Sequence, residues 1–195
     1  MRVIAGKYRS RPLRSLRGMD IRPTSDRLRE TVFNVLTAGN PEGLAGTIWL
    51  DLFAGTGAVG IEALSRGAKE VYFVENSGAA ADTIRQNLQG LGITNGFRIV
   101  QESVSHALRR LERERLAADV VFLDPPYRME DAYTNVLSAL AASSLIGATS
   151  LVIAEHEKKV DPGDEFGSLR RFRRLGQGSA SLSFYRLGGA HESRV

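Results

Sequence analysis

Cysteine is absent from the 195 residues, so neither a disulfide framework nor a thiolate-bound metal is open to this chain. The three histidines, His106, His156 and His191, stand far apart without ligand spacing, and no metal is expected. Long apolar runs are missing too: no stretch approaches the roughly 18 residues of a membrane span. The opening MRVIAGKYRSRP holds no apolar segment of signal-peptide length, which leads us to expect a cytoplasmic protein. Repeats, low-complexity tracts and long linkers are also lacking. What is present, 43% hydrophobic and 25% charged residues, is the composition of a globular domain able to bury a core unaided, with a monomer as the default expectation.

Charge is distributed unevenly. Residues 1–30 carry nine Lys/Arg against three acids, a surplus of +6, while the other 165 residues hold 17 basic against 19 acidic, or −2. A basic arm of this kind suits a polyanion, because each phosphate contact releases a counterion; a solubilising tail is the plainer alternative. Within the arm, Val3, Ile4, Leu13, Leu16 and Ile21 alternate with Arg and Gly, a pattern that fits a small hairpin or an irregular arm equally. We place a boundary here, with residues 1–23 as the arm and 24–195 as the main domain. Arg22-Pro23-Thr24-Ser25-Asp26 reads as a helix start, with Thr24 or Ser25 as the cap and Asp26 at the positive end. Leu28, Val32, Val35 and Leu36 follow at helical spacing, and Gly39 is the expected stop.

From residue 47 short apolar runs alternate with helical patterns, which predicts an α/β fold: a mostly parallel sheet with helices on both faces. The predicted strands are Ile48–Leu52, Glu70–Glu75, Phe97–Gln101, Val120–Leu123 and Ser150–Glu155. The intervening helices are Ala58–Arg66, Ala79–Leu91, Val104–Leu116 and Ala132–Ala142. Beyond residue 160 two β-rich runs, Leu169–Leu175 and Ala180–Leu187, flank Gly176-Gln177-Gly178-Ser179 and predict a terminal hairpin. Arg170, Arg171, Arg173 and Arg174 crowd its first strand, either as a solvated face or as a nucleic-acid contact.

Asp51-Leu52-Phe53-Ala54-Gly55-Thr56-Gly57-Ala58-Val59-Gly60 is placed where a strand ends and a helix begins, and its glycines form a GxGxxG. Such a turn lets a cofactor lie against bare backbone at a helix N-terminus. Phe53, Ala54, Gly55, Thr56 and Gly57 are therefore candidate cofactor contacts. Glu75, followed by Asn76, ends the next strand, where a carboxylate can accept from both ribose hydroxyls of an adenosine; this suits S-adenosylmethionine and NAD alike. Asp51 separates them, because its charge opposes a pyrophosphate and favours a sulfonium carrying an α-amino group. A strand-end Asp that merely caps a neighbouring amide is the simpler reading. Ser103, after the third strand, is a candidate adenine contact through its hydroxyl.

The fourth strand ends in Asp124-Pro125-Pro126-Tyr127. An exocyclic base amine is a poor nucleophile, since its lone pair is delocalised into the ring. The Asp124 carboxylate and the Pro125 carbonyl can accept its two N–H bonds and draw the nitrogen toward a tetrahedral geometry. Pro125 and Pro126 stiffen the loop so that both acceptors are preorganised. Tyr127 can stack on a base extruded from its helix. A proline-rich turn without chemistry is the alternative.

These residues resemble the bacterial 16S rRNA guanine-N2 methyltransferases usually called RsmD. The likeness covers Arg2–Gly6, Arg22–Asn34, Asp51–Gly60, Glu62–Gly67 and Asp124–Tyr127, almost the whole chain. It implies a Rossmann-like, seven-stranded methyltransferase sheet, S-adenosylmethionine as donor, and one guanine of small-subunit rRNA, within an assembled particle, as target. Arg22 and Arg27, inside the quoted block, become RNA-contact candidates along with Thr24, Arg9 and Arg11. Ser103 departs from the acidic or amide residue common in such enzymes. Three rivals stay open: a nicotinamide-dependent oxidoreductase, a DNA adenine or cytosine amino-methyltransferase, and a non-catalytic RNA-binding module.

Overall fold

A computed structural model describes residues 1–15, 26–126, 129 and 131–188. Along the chain run α1 (Asp26–Leu36), β1 (Ile48–Leu52), α2 (Ala58–Ser65), β2 (Glu70–Val74), α3 (Gly78–Leu91), β3 (Phe97–Val100), α4 (Val104–Arg113), β4 (Ala118–Leu123), α5 (Ala132–Ala141), β5 (Ile146–Glu157), β6 (Glu165–Phe166), β7 (Leu169–Gln177) and β8 (Ala180–Leu187). All the predicted strands and helices are present. The described residues contain one sheet of order β3-β2-β1-β4-β5-β8-β7-β6, eight strands where seven were expected. The extra one, β6, is a two-residue antiparallel pairing of Glu165–Phe166 with Leu169–Arg170, too short to leave a periodic signal. The first five strands pair in parallel, and β8 and β7 follow antiparallel.

Both faces of the central strands are buried, and residue parity divides them. Trp49, Phe73, Phe122, Ile153, Leu182 and Phe184 point to one core, against Leu28, Val32 and Phe33 of α1 and Ile61 and Ile84 of α2 and α3. Leu50, Val74, Val121, Val152 and Tyr185 point to the other, against Leu108 and Leu111 of α4 and Val136 and Leu140 of α5. This two-sided burial explains why the strands read as near-continuous apolar runs. Phe33 stacks on Trp49 at 5.4 Å between ring centroids. Each such fully buried large side chain contributes about 1.5–3 kcal/mol.

Local chemistry sets several helix ends. Ser77 caps α3 by accepting from the Ala80 amide, and Gly92, in the left-handed region at φ 71°, terminates it. The helix α4 stops at Arg113, short of the predicted Leu116, because Arg115 turns left-handed at φ 59°. The strand order reverses between β1 and β4, and open α/β sheets bind ligands outside the carboxyl ends at that switch point.

The first 15 residues form a hairpin-like arm closed by an Arg2–Pro12 bridge, with Val3 and Leu13 buried beneath it. It docks on α2. The Ile4 and Ala5 amides donate to the two Glu62 carboxylate oxygens at 2.7 and 3.0 Å, and Tyr8 N donates to Ser65 Oγ at 3.0 Å. Glu62 and Arg29 side chains are fully buried, 3.9 Å apart, while Arg66 Nε reaches Glu62 at 2.8 Å. Arg29 also donates to the Arg2 carbonyl and to Asp26.

Candidate functional site

Successive strand ends bring four carboxylates to one edge. Leu52 pairs with Val74 on one side and Leu123 on the other, so Glu75 and Asp124, each one residue further on, flank β1 at the same level. With neighbouring strands about 4.8 Å apart, their backbones stand roughly 10 Å from each other across β1. Asp51 lies between them, lower in the sheet and 2% exposed. The fourth, Glu155, follows the Leu123–Ala154 pairing on β5 and is almost entirely buried.

Between these acids runs the glycine loop. Phe53, Gly55 and Gly57 are all left-handed, at φ 60°, 55° and 76°. For Phe53 this conformation costs on the order of 1–2 kcal/mol, strain that the fold sustains at the β1 tip. A Cβ on Gly55 would meet only the Phe53 carbonyl at 3.9 Å, so that backbone offers an open surface to a ligand. A Cβ on Gly60 would sit 2.3 Å from Phe73 Cε1 and 2.7 Å from Val71 Cγ1, so this glycine serves helix–strand packing.

Electrostatics at the loop favours a cation. Burial pushes the Asp51 carboxyl up to about 8; the Gly60 amide, donating to Asp51 Oδ2 at 2.9 Å, opposes the shift, and the nearby Glu75 adds to it. Asp51 thus performs the capping of the plainer reading and still leaves a buried acid that a positive ligand would stabilise. Glu75 accepts from the Gly55 amide at 2.9 Å and the Ser77 amide at 2.8 Å. Each carboxylate oxygen keeps a further lone pair for a ribose hydroxyl. These groups fit an adenosyl sulfonium: open backbone, an anchored ribose acceptor and a buried acid.

Other predicted contacts fall at different positions. Ala54 and Thr56 are both 9% exposed; the Ala54 amide donates to Val74, while the Thr56 hydroxyl turns toward Met1 Sδ at 3.9 Å. Asn76 is exposed beside the α3 cap. Ser103 caps α4, its hydroxyl accepting from His106 N at 3.4 Å, which accounts for its presence without any ligand. Asp124 is half-buried, Pro125 buried and Pro126 exposed, with Met129 N donating back to the Pro126 carbonyl at 2.9 Å. Tyr127, Arg22 and Thr24 lie outside the described residues. Arg9 and Arg27 are exposed, as is Arg11, whose guanidinium donates to the Gly90 carbonyl at 2.9 Å.

Two residues of this region were missed in the sequence. Glu155 carried a usable signal, an acid that follows an apolar run late in its strand, as Asp51 and Glu75 follow theirs. Asn87 carried none. It is buried on α3, where Oδ1 accepts from Arg14 N at 2.7 Å and Nδ2 donates to the Thr56 carbonyl at 2.9 Å, joining the arm to the glycine loop.

Comparison with known proteins settles the family. A family model described as conserved hypothetical protein 95 matches residues 1–186. The ribosomal RNA small subunit methyltransferase D of Haemophilus influenzae is 36% identical over 158 residues, 81% of this chain and 79% of that protein. The chain belongs to the methyltransferase D family. Bacillus subtilis YlbH, named provisionally as an rRNA methyltransferase, is 31% identical to this member over 97% of the chain and the whole of its own length. The solved structure of Escherichia coli yhhF, described provisionally as a methyltransferase, superposes with a TM-score of 0.80 at 27% identity, covering 96% of this family member and 98% of the other chain.

Proposed function

We propose that this protein transfers a methyl group from S-adenosylmethionine to the exocyclic N2 amine of a guanine in 16S rRNA, as part of small-subunit maturation in the cytoplasm. Family membership supports the coarser reading, methylation of small-subunit rRNA. The observation that carries the finer one is the convergence of Asp51, Glu75 and Asp124 on the β1–β4 switch point.

In this reading Glu75 holds the ribose, the open Gly55 backbone receives the adenosyl moiety, and Asp51 faces the cationic end of the donor. The donor supplies an activated methyl group on its sulfonium. Asp124 and the Pro125 carbonyl accept the two amine N–H bonds and orient the nitrogen lone pair toward the methyl carbon. Asp124 or water takes the proton that the amine loses on methylation. Tyr127 stacks on the extruded base, Arg9, Arg11 and Arg22 of the arm hold RNA together with Thr24 and Arg27 at the start of the main domain, and residues 24–195 perform transfer as a monomer.

The test is radiolabelled transfer to small subunits lacking the modification, to naked 16S rRNA and to duplex DNA. Label is expected on guanine N2 of rRNA, and Asp124→Ala is expected to cut the rate by at least about 100-fold, the usual cost of a preorganised polar contact to the reacting group. Label confined to DNA would replace the reading with the DNA enzyme, and none on any substrate would replace it with a binding module.

A further inference from the structure

The basic cluster of the terminal hairpin separates into two parts. Arg171 pairs with Asp161 at 2.5 Å and also with Asp164, Arg174 reaches Asp161 at 3.2 Å, and Arg170 reaches Glu165 at 3.2 Å. Those three are neutralised by the acidic segment that precedes β7. Arg173 and Arg186 are exposed and have no acidic partner among the described residues.

Between Arg171 and Arg173 the β7–β8 register shifts, so Phe172 is the unpaired residue of a bulge. Bulges re-aim side chains. Here the phenyl ring is 52% exposed, a large apolar side chain left in solvent. The Arg186 guanidinium lies 4.7 Å from its centroid, and the buried Phe184 ring supports it from within at 6.4 Å. A tilted aromatic pair anchored in the core thus reaches the surface beside two positive charges without an acidic partner among the described residues.

We propose that Phe172, Arg173 and Arg186 form an accessory docking surface for a single-stranded segment of the substrate RNA. A nucleobase extends the Phe172–Arg186 stack, and the guanidinium groups neutralise the adjoining phosphates. The patch is one aromatic wide, far below the roughly 800 Å² per partner of a stable protein interface, whereas it matches one base. Its position suits the same RNA. Arg186 stands level with Val120, four residues before Asp124 and two strands away, roughly 16 Å from the transfer loop by strand geometry. The inference rests on the proposed rRNA substrate.

The test uses the full chain with Phe172→Ala, Arg173→Ala, Arg186→Ala and Arg186→Lys, each first shown to keep the parent melting temperature. Affinity for naked 16S rRNA is measured by anisotropy across a salt series, together with kcat, KM and S-adenosylmethionine affinity. Phe172→Ala and Arg186→Ala are expected to weaken RNA binding and raise KM by about fivefold or more, with kcat and cofactor affinity unchanged. The salt slope should fall by about one for each Arg→Ala variant and stay unchanged for Phe172→Ala. Arg186→Lys should keep the slope and lose the stacking share of affinity. Unchanged binding and slope in all variants would overturn the proposal, and so would a loss seen only on assembled particles, which would assign the patch to a ribosomal protein. If the parent protein methylates no rRNA at all, the proposed function falls instead, while the binding measurements still judge the patch.

Discussion

Asp51 is almost entirely buried and still carries an ionisable group. Its carboxyl, raised by burial from 3.8 to about 8, favours the neutral form in the folded, ligand-free protein at pH 7. Between these two values the unfolded chain is ionised and the folded one is not, so this residue lowers stability as pH rises across that window and adds no further change above it. A cation bound beside Asp51 reverses the preference. S-adenosylmethionine binding at pH 7 is therefore expected to release a proton and to tighten with pH up to about 8; titration calorimetry in two buffers of different ionisation heat would reveal it, and Asp51→Asn should abolish it. Gly60 tests the loop from the packing side. A methyl group there meets the Phe73 ring and Val71 at distances no real Cβ shows, so Gly60→Ala is expected to cost about 1–3 kcal/mol in urea denaturation.

At the level of secondary-structure elements, the arm and α1 are joined to α2 through one buried charge cluster. Glu62 accepts from two arm amides and from Arg66, and faces Arg29. Burial pulls the Arg29 guanidinium below its usual range, against the pull of Asp26 and Glu62, and its Nε and Nη1 lack hydrogen-bond partners. Glu62→Gln leaves that cation less compensated, and a loss of about 3–5 kcal/mol is expected, with the arm exposed to proteolysis. An unchanged denaturation midpoint would show that the cluster does not hold the arm. This arrangement also marks what could be read without a structure. The sheet strands were legible because two-sided burial writes itself as apolar runs, and the glycine loop because its φ values demand glycine. Arg29 was not: in an amphipathic pattern an arginine reads as solvated, and only a partner distant in sequence makes it core. The blocks Arg2–Gly6, Arg22–Asn34 and Glu62–Gly67, which carried the family likeness, contribute Arg2, Ile4, Ala5, Arg29, Glu62, Ser65 and Arg66 to this junction. Part of that likeness is architectural.

For the whole molecule, charge and chemistry are set apart. The +6 belongs to the first 30 residues of the sequence, while Asp51, Glu75 and Asp124 gather at the strand ends, a division that would bring a polyanion to the basic segment rather than to the carboxylates. Site legibility followed the same division. The placement of Asp51, Glu75 and Asp124 at neighbouring strand ends was legible because strand ends are visible in sequence, whereas the use of the Ser103 hydroxyl as the α4 cap was not read from it.

Asn87 carries a consequence for regulation. One buried amide grips the backbone of Arg14 in the arm and the carbonyl of Thr56 in the glycine loop. Through this link, ordering the arm would bias the loop, and a ligand that orders the loop would bias the arm. Free-energy conservation makes the exchange symmetric: the factor by which RNA tightens the donor equals the factor by which the donor tightens RNA. Asn87→Asp keeps the acceptor for Arg14 N and removes the donor to the carbonyls of both Thr56 and Arg14. In that variant each ligand should still bind and the factor should fall toward one, which donor titrations with and without the proposed rRNA substrate would read out.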